Sequence, residues 1–279
     1  MKSRTIKNDK DIKDICEKYN NGNWTMKLLA EKYHCSSYVV KNILQDNGVE
    51  IKTHIRRFNL NFLDHYFENI DTEDKAYFLG LLLTDGNVHI IKKSGLYQIS
   101  LELCVKDKDI LDKFKKVVNS ESKVSYRKRE NTEMVCVRFY SEIMAKDLSK
   151  YGIIPNKTKK LKHLPILSKE LMKHFIRGMI DGDGSIYQSC GKYNHVTFCS
   201  YSYNVCNELQ KICDGFIKEP NLAKILKDKG KEIYRVHYND QTKVKQLVTV
   251  LYKDSNYYLA RKYALAKNIF EDKNEEDIV

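Results

Sequence analysis

Phe78-Leu79-Gly80-Leu81-Leu82-Leu83-Thr84-Asp85-Gly86-Asn87-Val88 returns 98 residues later as Ile176-Arg177-Gly178-Met179-Ile180-Asp181-Gly182-Asp183-Gly184-Ser185-Ile186. Both copies hold an inner glycine (Gly80, Gly178), an aspartate closing an apolar run (Asp85, Asp183) and a glycine straight after it (Gly86, Gly184). An apolar run closed by Asp-Gly predicts a helix and its stop. Glycine inside a helix costs about 1 kcal/mol relative to alanine, so its recurrence at one place in both copies asks for a compensating gain. That gain is close approach, because a residue without a Cβ lets two backbones meet at short range. Parallel helices packed side by side, Gly80 against Gly178, bring their C-terminal ends out together and set Asp85 beside Asp183.

Helix ends carry partial negative charge, and the carbonyls of Thr84 and Gly182 add to two carboxylates in a small volume. A divalent cation relieves such repulsion. Hard oxygen ligands with open positions suit Mg²⁺, which keeps several waters and accepts phosphate oxygens. A site of this kind activates water and stabilises charge on a phosphodiester with no protein nucleophile. The plain alternative is two helices stopped by Asp-Gly turns with no further role, and the matching glycines and flanks favour the paired-helix arrangement.

The segments after the two copies also correspond: a strand pair, a helix near 107–118 or 204–217, a second strand pair and another helix. Gln98, Ser100 and Glu102 alternate with Tyr97, Ile99, Leu101 and Leu103, the period of a sheet with one wet face. The expected fold class is therefore α+β, with two related αββαββα halves at residues 76–165 and 166–279. Residues 57–75 read as a connector, ending in Asp71-Thr72-Glu73-Asp74, an acidic start for the next helix.

Residues 1–56 read as a small all-α unit. Ile12, Ile15, Cys16 and Tyr19 keep helical spacing, Thr25 is placed to cap a second helix with Leu28, Leu29 and Ala30, and a break at His34-Cys35 comes next. Ser36 or Ser37 then caps a third helix with Val39, Val40, Ile43 and Leu44 on its apolar side, stopped by Asn47-Gly48. Two short helices joined by a tight turn form the helix-turn-helix pattern. On that reading Ser36, Ser37, Tyr38, Lys41, Asn42 and Gln45 face DNA. Residues 51–58 add Lys52, His54, Arg56 and Arg57, suited to tracking a phosphate backbone. A helical hairpin that only packs is the alternative.

Composition agrees with these readings. The 49 Lys+Arg against 37 Asp+Glu give a net charge of +12, which favours a polyanionic partner. Hydrophobic residues at 42%, with 3 Pro and 12 Gly, exclude collagen-like, mucin-like and linker-dominated chains. The longest apolar run, residues 77–83, falls far short of the ~20 residues of a spanning helix. Met1-Lys2-Ser3-Arg4 opens no signal-peptide core, so an intracellular, cytoplasmic protein without a membrane partner is expected. The 8 cysteines contain no Cys-x-x-Cys pair. Cys199, Cys206 and Cys213 recur every seven residues, as helix core positions would, so buried free thiols are expected in place of zinc ligands.

Both motif segments resemble the LAGLIDADG motif of homing endonucleases, the second closely. The resemblance spans roughly residues 70–270, including Gly152-Ile153-Ile154-Pro155-Asn156-Lys157-Thr158, Leu251-Tyr252-Lys253-Asp254 and Tyr258-Leu259-Ala260-Arg261-Lys262. It implies a pseudo-twofold monomer whose saddle-shaped antiparallel sheets lie in the DNA major groove. Such a protein cleaves both strands of a long, nearly asymmetric double-stranded site with Mg²⁺, or Mn²⁺ in its place, as in intron homing. The metal-binding acids implied are Asp85 and Asp183, with Asp181 as an earlier, mainly structural acid whose place Leu83 takes in the first copy. The best match to the basic residues that order water in such sites is Lys106, at a strand end. The second half offers Ser200, Tyr201 and Ser202 there and no lysine.

Strand alternation and polarity select Gln98, Ser100, Glu102, Lys123, Ser125, Arg127, Arg129, Gln188, Lys192, Thr197, Arg235 and His237 as DNA-facing residues. Each is alternatively an ordinary wet sheet position. An intein is not expected, since the chain runs from Met1 to Asp277-Ile278-Val279. A non-catalytic DNA-binding regulator and an intron-splicing cofactor (a maturase) that binds RNA are the competing functions, the first disfavoured by retention of both acids.

Overall fold

The computed structural model describes residues 6, 8–20, 24, 26–49, 51, 62–92, 94–218, 224–227, 230 and 232–271. They fall into two compact units divided between residues 57 and 58.

The first unit packs α1 (Asp9–Asn20), α2 (Met26–Lys32) and α3 (Ser37–Asp46) around buried Ile15, Tyr19, Leu29, Ala30, Val40, Ile43 and Leu44. Ser36 caps α3, its hydroxyl accepting from the Val39 amide at 3.3 Å, which satisfies a donor that the helix itself leaves open. The turn before it carries His34 in the left-handed region. On α2 Leu29 and Ala30 are buried and Leu28 is exposed. Thr25, Lys52, His54, Arg56 and Arg57 lie outside the described residues.

The second unit contains two αββαββα halves. The first runs α4 (Glu73–Thr84), β1 (Gly86–Ile90), β2 (Tyr97–Cys104), α5 (Lys108–Val117), β3 (Ser125–Arg129), β4 (Thr132–Tyr140) and α6 (Glu142–Lys150). The second runs α7 (Lys169–Asp183), β5 (Gly184–Ser189), β6 (Tyr193–Ser200), α8 (Tyr203–Asp214), β7 (Lys224–Lys227), β8 (Tyr234–Tyr238) and α9 (Gln241–Tyr252), with α10 (Ala260–Glu271) appended. Each half forms an antiparallel sheet of the same order, β1-β2-β4-β3 and β5-β6-β8-β7. The inner faces, Ile99, Leu101, Val135, Val137 and Phe139 in one and Ile186, Val196, Phe198 and Val236 in the other, are buried against their helices.

α4 begins at Glu73, and Tyr66 and Phe67 before it are buried in the same core, so the expected connector is part of the first half's packing. Arg177 is fully buried on α7 and joins the halves. Its guanidinium donates to the carbonyls of Tyr257 and Leu251 at 2.7 and 2.8 Å and to Glu73 Oε1 at 2.7 Å. A buried cation needs this complete set of acceptors. Cys206 and Cys213 are buried on α8, whereas Cys199 belongs to β6, so the seven-residue spacing crosses from strand to helix. Among the described residues no helix is long and apolar enough to cross a membrane.

Candidate metal centre and sheet faces

The two motif helices meet through their glycines. An added Cβ at Gly80 would collide with the Phe175 carbonyl oxygen and stand 3.0 Å from the Met179 nitrogen; at Gly178 it would collide with the Tyr77 carbonyl and stand 2.9 Å from the Leu81 nitrogen. Each glycine thus receives the other helix's backbone, between residues that bracket the facing glycine. The helix ends stay equally close. A Cβ at Gly182 would sit 2.7 Å from Thr84 Cβ and 2.8 Å from Asp85 Oδ2. Gly86 and Gly184 then turn the chain directly from helix into strand, with the Leu82 and Ile180 carbonyls against them.

Asp85 is half-buried and Asp183 opens to solvent. Burial first, and the neighbouring Asp183 second, push the Asp85 carboxyl up to about 7, against the pull of Lys262, Lys157 and Arg261. Asp183 is also raised, because the surrounding protein strips part of its hydration, while Lys157 and Lys262 oppose the shift. A cavity of about 290 Å³ adjoins Asp183, and Thr84, Lys157, Ser200 and Tyr201 are among its lining residues.

Lys157 and Lys262 are the residues that sequence reasoning missed. Lys157 is buried, donating to the Thr84 carbonyl at 3.1 Å and to that of Gly86. Lys262, equally buried, donates to the carbonyls of Ile180, Asp181 and Gly184 at 2.6, 2.6 and 2.7 Å. One lysine closes the end of each motif helix, where unpaired carbonyls attract cations. Burial lowers both, Lys262 to about 8. Their positions were visible in the flanking stretches 152–158 and 258–262, but a buried lysine reads as a surface charge until its acceptors are known.

These contacts bear on two expected roles. The Thr84 carbonyl, expected at the metal, turns to Lys157, whereas Lys262 passes over Gly182. Lys106 lies on a one-turn helix, Val105–Asp107, and is exposed. Lys262, Lys157 and Arg261 are the cations that pull the Asp85 carboxyl down against its burial. Arg261 is held beside them by buried Asp107, at 3.0 and 3.2 Å. Asp181 is fully buried and accepts from Tyr77 and Tyr252 hydroxyls at 2.8 and 2.7 Å and from the Leu259 amide at 2.8 Å.

Among the described residues no group of three or more His, Cys, Asp or Glu side chains gathers as a ligand set. Asp85 and Asp183 alone offer carboxylate oxygens, which leaves further positions to carbonyl, water and substrate oxygens. That donor chemistry fits Mg²⁺.

The outer face of the first sheet carries Gln98, Ser100, Glu102, Ser125, Arg127 and Arg129, with Lys123 exposed just before β3. Arg127 and Arg129 both pair with Glu102 Oε1, at 2.6 and 2.8 Å. Arg138, which the sequence reading passed over, shares this face and donates to Ser125 Oγ at 2.6 Å. On the second sheet Arg235 and His237 face outward and Lys192 is exposed in the β5–β6 turn. Two assignments fail. Gln188 pairs with Asn194 in the register that puts Ile186 and Val196 on the helix side, so Tyr187, one residue earlier, holds the outer position. Thr197 is outward by register but buried. Three rings form an array: Tyr187 stacks on His195 at 4.8 Å, and His195 on His237 at 5.2 Å. In the first unit Ser36, Ser37, Tyr38, Lys41 and Gln45 are exposed and Asn42 half-buried.

Residues 170–251 match the LAGLIDADG-like domain. The structure of the LAGLIDADG homing endonuclease I-SmaMI bound to cleaved DNA is 13% identical, over 70% of this chain and 87% of its own, with a TM-score of 0.46. That of I-GzeII in complex with its DNA target is 12% identical, over 70% and 91%, with a TM-score of 0.48. No curated protein matches the chain.

Proposed function

We propose that this LAGLIDADG-family chain is a site-specific endonuclease that hydrolyses phosphodiesters in both strands of double-stranded DNA, with divalent metal at the paired helix ends. The observation that carries this reading is the enforced meeting of Asp85 and Asp183. Helix packing through Gly80 and Gly178 brings the two carboxyls together where burial first, and Asp183 second, hold Asp85 up to about 7, and a divalent cation is the species that stabilises both in their charged form.

Asp85, Asp183 and the Gly182 carbonyl are the groups that would hold Mg²⁺ or Mn²⁺. When bound, such a metal makes water more acidic and neutralises charge gathering on the phosphodiester. The chain's own residues do the rest. Lys157 and Lys262 fix the carbonyls behind each carboxylate, so that the acids keep their positions as charge moves. Together with Arg261 they supply a positive field that draws the phosphate backbone toward the helix ends. The outer sheet faces read base edges on either side, and α2–α3 of the first unit, used as a helix-turn-helix, extends the footprint as a tethered module.

The test is cleavage of a plasmid library of randomised sites by wild type, Asp85→Asn and Asp183→Asn, in Mg²⁺ and in EDTA. Metal-dependent double-strand cuts at one long sequence, absent in both variants, are expected. Selective binding by wild type with no cut in Mg²⁺ or Mn²⁺ overturns the nuclease reading and leaves a DNA-binding regulator.

A further inference from the structure

The pseudo-twofold relation makes the two outer sheet faces comparable position by position. Gly86 pairs with Leu101 and Leu101 with Val137; Gly184 pairs with Phe198 and Phe198 with Val236. Counting from these anchors, Glu102 corresponds to Cys199, Gln98 to His195 and Arg138 to His237. The first face therefore holds a carboxylate that fixes two guanidinium forks. The second holds two stacked imidazoles at corresponding places and no carboxylate among its described residues.

These surfaces suit different base pairs. In the major groove a G·C pair offers two acceptors on guanine, N7 and O6, followed by the N4 donor of cytosine. An arginine fork beside a carboxylate presents the complementary donors and acceptor. Glu102 binds Arg127 and Arg129 at 2.6 and 2.8 Å, so the forks are oriented before DNA arrives. An A·T pair offers acceptor, donor, acceptor and a methyl group. On the second face Ser189 Oγ lies 2.7 Å from His195 Nε2, and His195 Nδ1 lies 3.0 Å from His237 Nε2. A neutral imidazole donates from one nitrogen and accepts at the other, and both His195 nitrogens are taken within this chain; it therefore fixes opposite roles at its two ends, Ser189 Oγ and His237 Nδ1, one a donor and the other an acceptor, with the Tyr187 ring beside it as an apolar surface for a methyl group. Burial first, and the neighbouring His195 and Arg235 next, lower the His237 imidazole from its ordinary value. Arg235 lies one register step nearer the helix ends, outside the array.

We infer that the Glu102–Arg127–Arg129 clamp selects a G·C pair in one half of the target, and that the Tyr187–His195–His237 array selects A·T pairs in the other half. The target departs from twofold symmetry there. This inference rests on the DNA-directed reading above. It is tested by selecting randomised duplexes for binding to the full chain in Ca²⁺ buffer at fixed salt, with wild type, Glu102→Gln and His195→Phe. Phenylalanine keeps the ring stack and removes both nitrogens.

The expected wild-type motif has G·C on one side of the centre and A·T on the other. Glu102→Gln should lose about tenfold preference at the G·C position alone, and His195→Phe a similar preference in the opposite half alone. A G·C preference that survives Glu102→Gln, or a loss spread over both halves in either variant, overturns the inference and leaves the proposed function standing. Absence of any sequence-selective binding by wild type overturns both.

Discussion

At the paired helices nearly every contact has a counterpart 98 residues away: Gly80 receives Phe175 and Met179 as Gly178 receives Tyr77 and Leu81, and Leu82 backs Gly86 as Ile180 backs Gly184. On the outer sheet faces the strand register sets His195 where the first half has Gln98, His237 where it has Arg138 and Cys199 where it has Glu102. The contrast separates two kinds of constraint. Backbones in contact leave no room for a side chain, so both halves keep one solution. A face turned to a ligand is constrained by that ligand alone, and a ligand whose halves differ lets the faces drift apart.

The sharpest way to break the first side of this comparison is to add one methyl group. Gly80→Ala and Gly178→Ala each drive a Cβ into a carbonyl oxygen of the facing helix. Neither backbone can yield without separating the helices, so each should cost about 4 kcal/mol or more and lower the melting temperature by roughly 10 °C. Equal losses in thermal unfolding support equivalent helices; an alanine tolerated at either position refutes it.

One pair of positions inside the helices departs from the repeat, and it offers the next largest effect. Asp181 is buried with hydrogen bonds from Tyr77, Tyr252 and the Leu259 amide, while its counterpart Leu83 is buried among apolar groups. Asp181→Leu strands those donors and should cost about 3 kcal/mol. Leu83→Asp buries an acid among apolar neighbours and should cost a comparable amount, about 3 kcal/mol. Denaturant titration of both variants checks this. A neutral Asp181→Leu would mean that the two helices tolerate either residue and that the difference between them is incidental.

The sequence is most legible where sterics and periodicity act alone. The repeated glycines foretold the helix pair, and the alternation at residues 97–103 foretold the strand β2. It is least legible where burial reverses the ordinary meaning of a residue. Lys157 and Lys262 have the chemistry of surface residues and are buried because helix ends supply carbonyl acceptors, which no local pattern reveals. Gln188 takes the helix side of its sheet because β5 starts at Gly184, so that the parity of its alternation is set by the helix-to-strand corner. Arg261, whose charge reaches Asp85, is held by Asp107 from more than 150 residues further along the chain, a contact that no local pattern reveals.

The centre where the helices end also differs between halves, and its smaller effect is separable by pH. Asp85 is held up to about 7 by burial and by Asp183, above its ordinary value near 4. From pH 4 to 7 the unfolded chain has therefore released this proton while the folded chain keeps it, so raising the pH favours unfolding across that window and has no further effect above it. Asp85→Asn removes this loss. Allowing for solvent at the half-open site, the metal-free variant should be more stable than wild type by about 2 kcal/mol at pH 8, with a melting temperature about 4–8 °C higher, and the two should converge near pH 4. Asp183, also raised, leaves a residual decline in the variant. Mg²⁺ binds the ionised pair, so it should raise the melting temperature of wild type at pH 8 far more than at pH 5 and do little for Asp85→Asn at either. Melting curves that are flat with pH in metal-free wild type, or a Mg²⁺ shift retained in the variant, would show that the carboxylates do not form the shared, strained centre on which the comparison between the halves depends.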